Sequence, residues 1–106
     1  MEYGQDYFTR HFTTEWADTK NVVVSLYEAD DPQVQIGIIE VHLFRGESKY
    51  KGEAYIWNLW VNEGYRRKGY GRALLNDALD LAMLNGCRVA TLECDLRSSP
   101  KWLFDW

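Results

Sequence analysis

The chain has 106 residues, of which 46% are hydrophobic, 26% charged and 15% aromatic, the make-up of one ordinary soluble globular domain and too little for two. With two Pro, eight Gly, five Trp, seven Tyr and four Phe it carries far more large apolar surface than a disordered chain, and no apolar run approaches the about 18 residues of a membrane span. The net charge of -4, from 12 basic and 16 acidic residues, argues against a protein that simply coats nucleic acid.

The first residues, Met1-Glu2-Tyr3-Gly4-Gln5-Asp6, lack the basic start and apolar stretch of a signal peptide, so the cytoplasm is the expected compartment and no membrane contact is expected. Residues 1–20 hold strand-favouring residues from Tyr7 to Thr14, but no clean period of two or 3.6 runs through them. Val22 to Tyr27 is rich in β-branched and aromatic residues, Asp30-Asp31-Pro32 supplies turn chemistry, and Val34 to Phe44 returns. Together these predict an antiparallel hairpin about a turn at 30–33. Arg45 to Gly52 reads as a polar loop before a third strand, Ala54 to Val61, which is apolar on both faces and is expected to be central and covered on both sides.

Asn62-Glu63-Gly64 breaks that strand. From Gly71 to Asn85 the residues Leu74, Leu75, Ala78, Leu79, Leu81 and Ala82 recur at helical spacing, opposite Asn76, Asp77 and Asp80. Gly86 has the place of a left-handed cap, and Arg88 to Cys94 follows as a strand. A crossover of this length implies that the strands on either side of the helix run parallel, with a right-handed connection. Ser98-Ser99-Pro100 resembles a helix start, with Trp102, Leu103 and Trp106 on one apolar face. The whole reads as one α/β (α+β) domain with a mixed antiparallel/parallel sheet around a strand-helix-strand unit.

His11 and His42 fall in strands without partners and read as surface or satisfied histidines. Cys87 and Cys94 have neither a C-x-x-C spacing nor a nearby His, so they read as buried thiols, and no metal site is expected. The aromatics Tyr55, Trp57 and Trp60 read as core or pocket wall rather than as a stacking platform for bases.

The segment that carries chemistry is Gly64-Tyr65-Arg66-Arg67-Lys68-Gly69-Tyr70-Gly71-Arg72, at the junction of a buried strand and an amphipathic helix. Four of the twelve basic residues lie within its last seven positions, with no acid among them. Helix N-termini present backbone N–H groups and the positive end of the helix dipole, and glycines let an anion approach them closely. Gly64 to Gly69 has P-loop spacing, but Tyr70 and Gly71 stand where Lys and Ser or Thr are required, which argues against nucleoside triphosphate hydrolysis. Gly69-Tyr70-Gly71 begins a dinucleotide fingerprint, yet Leu74 replaces its third glycine, and the preceding hairpin is wrong for that fold.

What remains is R-x-x-G-x-G, Arg66 to Gly71, after a strand that ends Leu59-Trp60-Val61. This pattern resembles the acetyl-coenzyme A motif of the GNAT superfamily of N-acetyltransferases. The resemblance runs from about residue 22 to 106 and is specific from 54 to 86. It implies a single GNAT-like domain over 1–106 that lacks the family's closing C-terminal strands, with acetyl-coenzyme A as cofactor. Arg66, Arg67, Lys68, Gly69, Tyr70 and Gly71 would wrap the coenzyme diphosphate by backbone N–H groups, with Arg67, Lys68 and Arg72 adding charge. Leu59, Trp60 and Val61 would lie along the coenzyme, the backbone of Leu59 and Val61 holding the acetyl carbonyl and the pantetheine arm, and Ser99 would contact that arm.

The implied reaction is direct acetyl transfer to a primary amine of a small molecule or a protein, without a metal. Glu53, just ahead of the third strand, is the candidate base. Trp106 falls where the family's tyrosine acid stands, which leaves the acid unassigned, and 20 residues before the first clear strand leave little room for the two helices that shape the family's acceptor pocket. Two other readings stay open: a non-catalytic coenzyme A-binding or regulatory module, and a protein whose basic turn meets a polyanion. An unpaired final helix also implies a homodimer.

Overall fold

The computed structural model describes residues 7–46 and 48–92. These form β1 (Tyr7–Glu15), β2 (Thr19–Glu28), β3 (Gln35–Phe44), β4 (Glu53–Val61), a short 3-10 turn (Glu63–Tyr65), α1 (Tyr70–Leu84) and β5 (Val89–Leu92). All five strands belong to one sheet in chain order, antiparallel from β1 to β4, with β5 parallel to β4. The expected hairpin is β2–β3. Its turn is held by Val34 N–H donating to the Asp31 carbonyl at 3.0 Å and by Gln33 N–H donating to the Asp31 carboxylate at 3.2 Å, the local bonding that makes Asp a turn former.

The segment without a clean period is β1, an edge strand. Its middle residues are exposed on both faces, so no alternation of apolar and polar residues is demanded of it. Only Trp16, Ala17 and Asp18 join it to β2, closed by Trp16 N–H donating to the Thr19 carbonyl at 2.8 Å, so the acceptor-side helices that the resemblance describes do not lie between these strands.

The core lies on one face of the sheet, under α1. Val22, Val24 and Leu26 of β2, Ile39, Val41 and Leu43 of β3, and Ala54, Ile56 and Val61 of β4 pack against Leu74, Ala78 and Ala82 of the helix, all at most 3% exposed. The spacing of four along α1 places its three core residues in one stripe, and the two alanines let the helix approach the sheet closely. Each fully buried Leu, Ile or Val contributes roughly 1.5–3 kcal/mol through removal of apolar surface from water.

The expectation of a central strand covered on both faces needs correction. β4 is central, but only Ala54, Ile56, Leu59 and Val61 face the core, while Tyr55 and Trp57 are half-buried and Asn58 and Trp60 are exposed. An irregularity explains the mixed pattern. The β3–β4 register passes from Ile38↔Trp60 to Glu40↔Trp57, so Asn58 and Leu59 together oppose Ile39, and Asn58 takes a left-handed φ of 57°. This is a β-bulge, one extra residue that shifts the side-chain alternation by one position.

At its far end α1 stops as expected. Gly86 has φ 78°, its N–H donates to the Met83 carbonyl at 3.0 Å, and Cys87 N–H donates to the Ala82 carbonyl at 2.9 Å, the paired bonds of a Schellman motif. Cys87 itself is half-buried, its thiol donating to the Glu53 carbonyl at 3.6 Å, and burial pushes its pKa up. The expected strand 88–94 is seen as Val89–Leu92, while Glu93, Cys94, Ser99 and the expected helix start at 98–100 lie outside the described residues. Among the described residues no helix is long and apolar enough to cross a membrane.

Candidate functional site

The site forms where β4 hands over to α1. β4 ends at Val61, and Asn62 ties the turn that follows both to β3 and to its own first residues. Its N–H donates to the Ile36 carbonyl at 2.7 Å, its side-chain carbonyl oxygen accepts from Gly64 N–H at 3.4 Å, and its side-chain amide donates to the Gln35 carbonyl at 3.4 Å. The turn is thereby pinned to β3 before the basic residues begin.

Arg66 performs a different task from its neighbours. Its Nε donates to the Val61 carbonyl at 2.9 Å in a half-buried position, so the guanidinium braces the loop against the end of β4. Arg67 and Lys68 are exposed, and Arg67 takes a left-handed φ of 65°. Gly69 follows at φ 92°, a conformation that an L side chain adopts only under strain, and nothing lies within 4 Å of where its Cβ would stand. It occupies the N-cap position of α1 and offers no side chain to the helix start; the first helical bond is Ala73 N–H to the Gly69 carbonyl at 3.1 Å. Gly71, in the first turn of α1, is buried.

The result is a run of backbone at the N-terminus of a 15-residue helix, outside the C-terminal end of a strand in a parallel pair, with Arg67, Lys68 and Arg72 in or beside it. These features fit a phosphate ester. Three tyrosines wall the turn on the β1 side. Tyr70 meets Tyr7 edge-on with ring centroids 5.7 Å apart and Tyr65 at 6.0 Å, while Lys68 Nζ lies 5.9 Å from the Tyr65 ring. The Tyr65 hydroxyl donates to the Glu28 carboxylate, and this bond, with burial and the nearby negative charge, raises its pKa to about 12.

The structure brings Leu59, Trp60 and Val61 together with Arg66, Arg67, Lys68, Gly69, Tyr70, Gly71 and Arg72 at one end of the sheet. It does not bring Glu53 there. Glu53 is the first residue of β4, paired with Val89, and lines a separate cleft of about 210 Å³ with Phe44, Tyr50, Ala54, Tyr55 and Thr91. Leu59 lies six positions further along the strand, roughly 20 Å away. His42 is satisfied, its Nδ1 lying 3.4 Å from Asn21 Oδ1 and its ring against Phe44.

Sequence reasoning missed a polar group on the face of the sheet away from α1. Asn58 Nδ2 donates to Glu40 Oε1 at 2.9 Å, and Asn21 Nδ2 donates to Glu40 Oε2 at 3.1 Å. The available signals were an Asn in the middle of an aromatic strand, a residue type that tolerates positive φ, and a lone acid in the apolar strand opposite it.

Comparison with known proteins agrees with this geometry. The family model described as the acetyltransferase (GNAT) family matches residues 1–101. A GCN5-related N-acetyltransferase 4, chloroplastic, of Arabidopsis thaliana is 45% identical over 47 residues, which are 44% of this chain and 16% of that protein. Among solved structures, a Trypanosoma brucei acetyltransferase superposes with a TM-score of 0.66 at 19% identity, over 77% of this chain and 58% of its own. The glucosamine-6-phosphate N-acetyltransferase of Arabidopsis thaliana gives 0.62 at 18% identity, over 73% and 52% respectively. An aminoglycoside acetyltransferase from an uncultured soil metagenomic sample, in complex with sisomicin, gives 0.60 at 18% identity, over 78% and 51%. The chain thus spans little more than half the length of these structures and a sixth of the chloroplast protein, and the structural likeness is one of fold. With the five-stranded mixed sheet, the β4–α1 turn and a family match over nearly its whole length, the chain belongs to the GNAT acetyltransferase family.

Proposed function

We propose that this chain binds acetyl-coenzyme A at the β4–α1 turn and transfers the acetyl group to a primary amine. The observation that carries the proposal is the turn itself: Gly69 at φ 92°, with open space where a side chain would stand, at a helix N-terminus that no side chain caps. In this reading the backbone N–H groups of Arg66 to Gly71 hold the diphosphate, and Arg67, Lys68 and Arg72 add complementary charge. Charge-assisted bonds of this kind are roughly twice as strong as neutral ones. The backbone of Leu59, Trp60 and Val61 orients the acyl end and the arm, with Ser99 as a further contact to the arm.

The coenzyme supplies an acyl thioester, already activated toward an amine. What the protein adds is orientation of the two reactants and backbone donors aimed at the carbonyl oxygen, where charge develops. A base must lie within hydrogen-bond reach of the amine, directly or through one water. Glu53, roughly 20 Å along β4 from Leu59, is outside that reach of an acyl group held at residues 59–61, so the reading does not assign it the proton.

The test is release of free thiol from acetyl-coenzyme A in the presence of a polyamine, an amino sugar and a lysine-containing peptide, each assayed separately. Turnover that needs both acetyl-coenzyme A and an amine, and is lost in Gly69→Val, supports the reading. Binding of acetyl-coenzyme A without thiol release for any amine would reduce the chain to a coenzyme-binding module.

A further inference from the structure

The bulge in β4 needs a physical cause. Asn58 holds a left-handed backbone on a strand whose neighbours Ile56 and Val61 are anchored in the core, each at most 1% exposed. A slip of register would turn those apolar side chains to the face away from α1, so the core fixes the strand on both sides of the bulge and confines any adjustment to residues 57–59. Within that interval the described hydrogen bond that restrains Asn58 by its side chain is the one to Glu40.

Glu40 is suited to this. Its half-buried carboxylate stands on β3 and receives Asn58 from β4 at 2.9 Å and Asn21 from β2 at 3.1 Å, one amide on each oxygen. Two donors from flanking strands fix the plane of the carboxylate, and an ionised acceptor holds an amide more firmly than a neutral one. The second contact is itself supported, since the Asn21 side-chain oxygen lies 3.4 Å from His42 Nδ1.

We propose that Glu40 is a positioning residue for the acyl end of the site: by clamping the Asn58 side chain it holds the bulge, and the bulge sets the direction of the backbone that leads into Leu59, Trp60 and Val61. The inference rests on the coenzyme-binding reading above and adds to it a specific determinant of acyl recognition. Glu40 acts through Asn58 and is not assigned a proton-transfer role.

The experiment measures dissociation constants for acetyl-coenzyme A and free coenzyme A by isothermal titration, on variants whose folding is checked by thermal unfolding. In the native chain the acetyl group is expected to improve affinity about fivefold or more, the worth of one net hydrogen bond. Glu40→Met, which keeps the length of the side chain but offers Asn58 no acceptor, should erase this preference and leave affinity for free coenzyme A within about twofold, because the turn is untouched. Asn58→Gly should keep the preference, since glycine takes a positive φ without a clamp. Adding Glu40→Met to Asn58→Gly should then change nothing further.

Should Asn58→Gly fail to fold, the exchanged pair Glu40→Gln with Asn58→Asp restores the bond with donor and acceptor reversed, and the preference should return. The proposal is overturned if Glu40→Met keeps the preference, or if it erases the preference equally in the Asn58→Gly background. Equal native affinity for both ligands would also overturn it while leaving the turn as the coenzyme site. Binding of neither ligand would remove both the proposal and the reading beneath it.

Discussion

The turn separates stability from binding at a single atom, the absent Cβ of Gly69. Replacing Gly69 by Ala places a side chain at φ 92°, where no atom lies within 4 Å of the new methyl, so there is no clash and the cost in stability is conformational alone. That cost is roughly 1–2 kcal/mol for an L residue in this region, offset by about 0.4–1 kcal/mol from the stiffer unfolded chain. The net of about 1 kcal/mol lowers the melting temperature of a domain this size by about 4–8 °C.

Binding should suffer more, because the methyl enters the space reserved for the ligand. Loss of one backbone bond to a charged oxygen, worth about 1.5–3 kcal/mol, weakens acetyl-coenzyme A by about ten- to a hundredfold. Gly86→Ala is the matched control. It has φ 78° and equally open space, but sits at the other end of α1, about 25 Å away. Thermal unfolding and isothermal titration on both variants should show similar drops in melting temperature, with affinity lost only in Gly69→Ala. Equal affinities in the two variants would refute the assignment of the turn.

Three further substitutions probe the supports of the site. Arg66→Ala removes the bond from Nε to the Val61 carbonyl and should cost about 1 kcal/mol, half-burial reducing the full value of a charged hydrogen bond, together with about tenfold in acetyl-coenzyme A affinity; titration calorimetry and thermal unfolding read both. Gly37→Ala places a Cβ 2.6 Å from the Trp60 carbonyl oxygen, a backbone atom that cannot swing aside, so β3 and β4 must part. A loss of about 1–3 kcal/mol in urea unfolding is expected. For Tyr65, a folded-state pKa of about 12 against an ordinary 10.0 means that its contribution is fully present below pH 10 and fades as pH rises toward 12. Tyr65→Phe should therefore flatten the loss of stability over that alkaline interval, measured by chemical unfolding at a series of pH values.

Much of the fold was legible because local chemistry and burial agreed. The β2–β3 hairpin showed itself through Val22 to Tyr27 and the Asp31 turn, and α1 through Leu74, Ala78 and Ala82. β1 was obscure for the opposite reason: most of its residues meet solvent, so burial imposes no pattern on them. The two-sided reading of β4 failed because Tyr55, Trp57 and Trp60 are apolar in type but stand, half-buried or exposed, on the face away from α1, and composition does not tell a half-covered face from a buried one.

The basic turn was legible as a motif, since the backbone conformation at 69 favours glycine and Gly71 is buried at the start of the helix. The bracing role of Arg66 was not, because one cation in a row of four looks like the rest until its partner is known. The cluster of Glu40, Asn58 and Asn21 depends on pairing across three strands, and only the register reveals it.

The central claim is that the β4–α1 turn holds acetyl-coenzyme A. The most direct test follows the backbone amide signals of isotopically labelled protein by nuclear magnetic resonance during titration with acetyl-coenzyme A. Saturable shifts concentrated at residues 66–72, with a second group at 59–61, are the predicted result. Shifts centred on the cleft beside Glu53, or none at saturating ligand, would contradict the account.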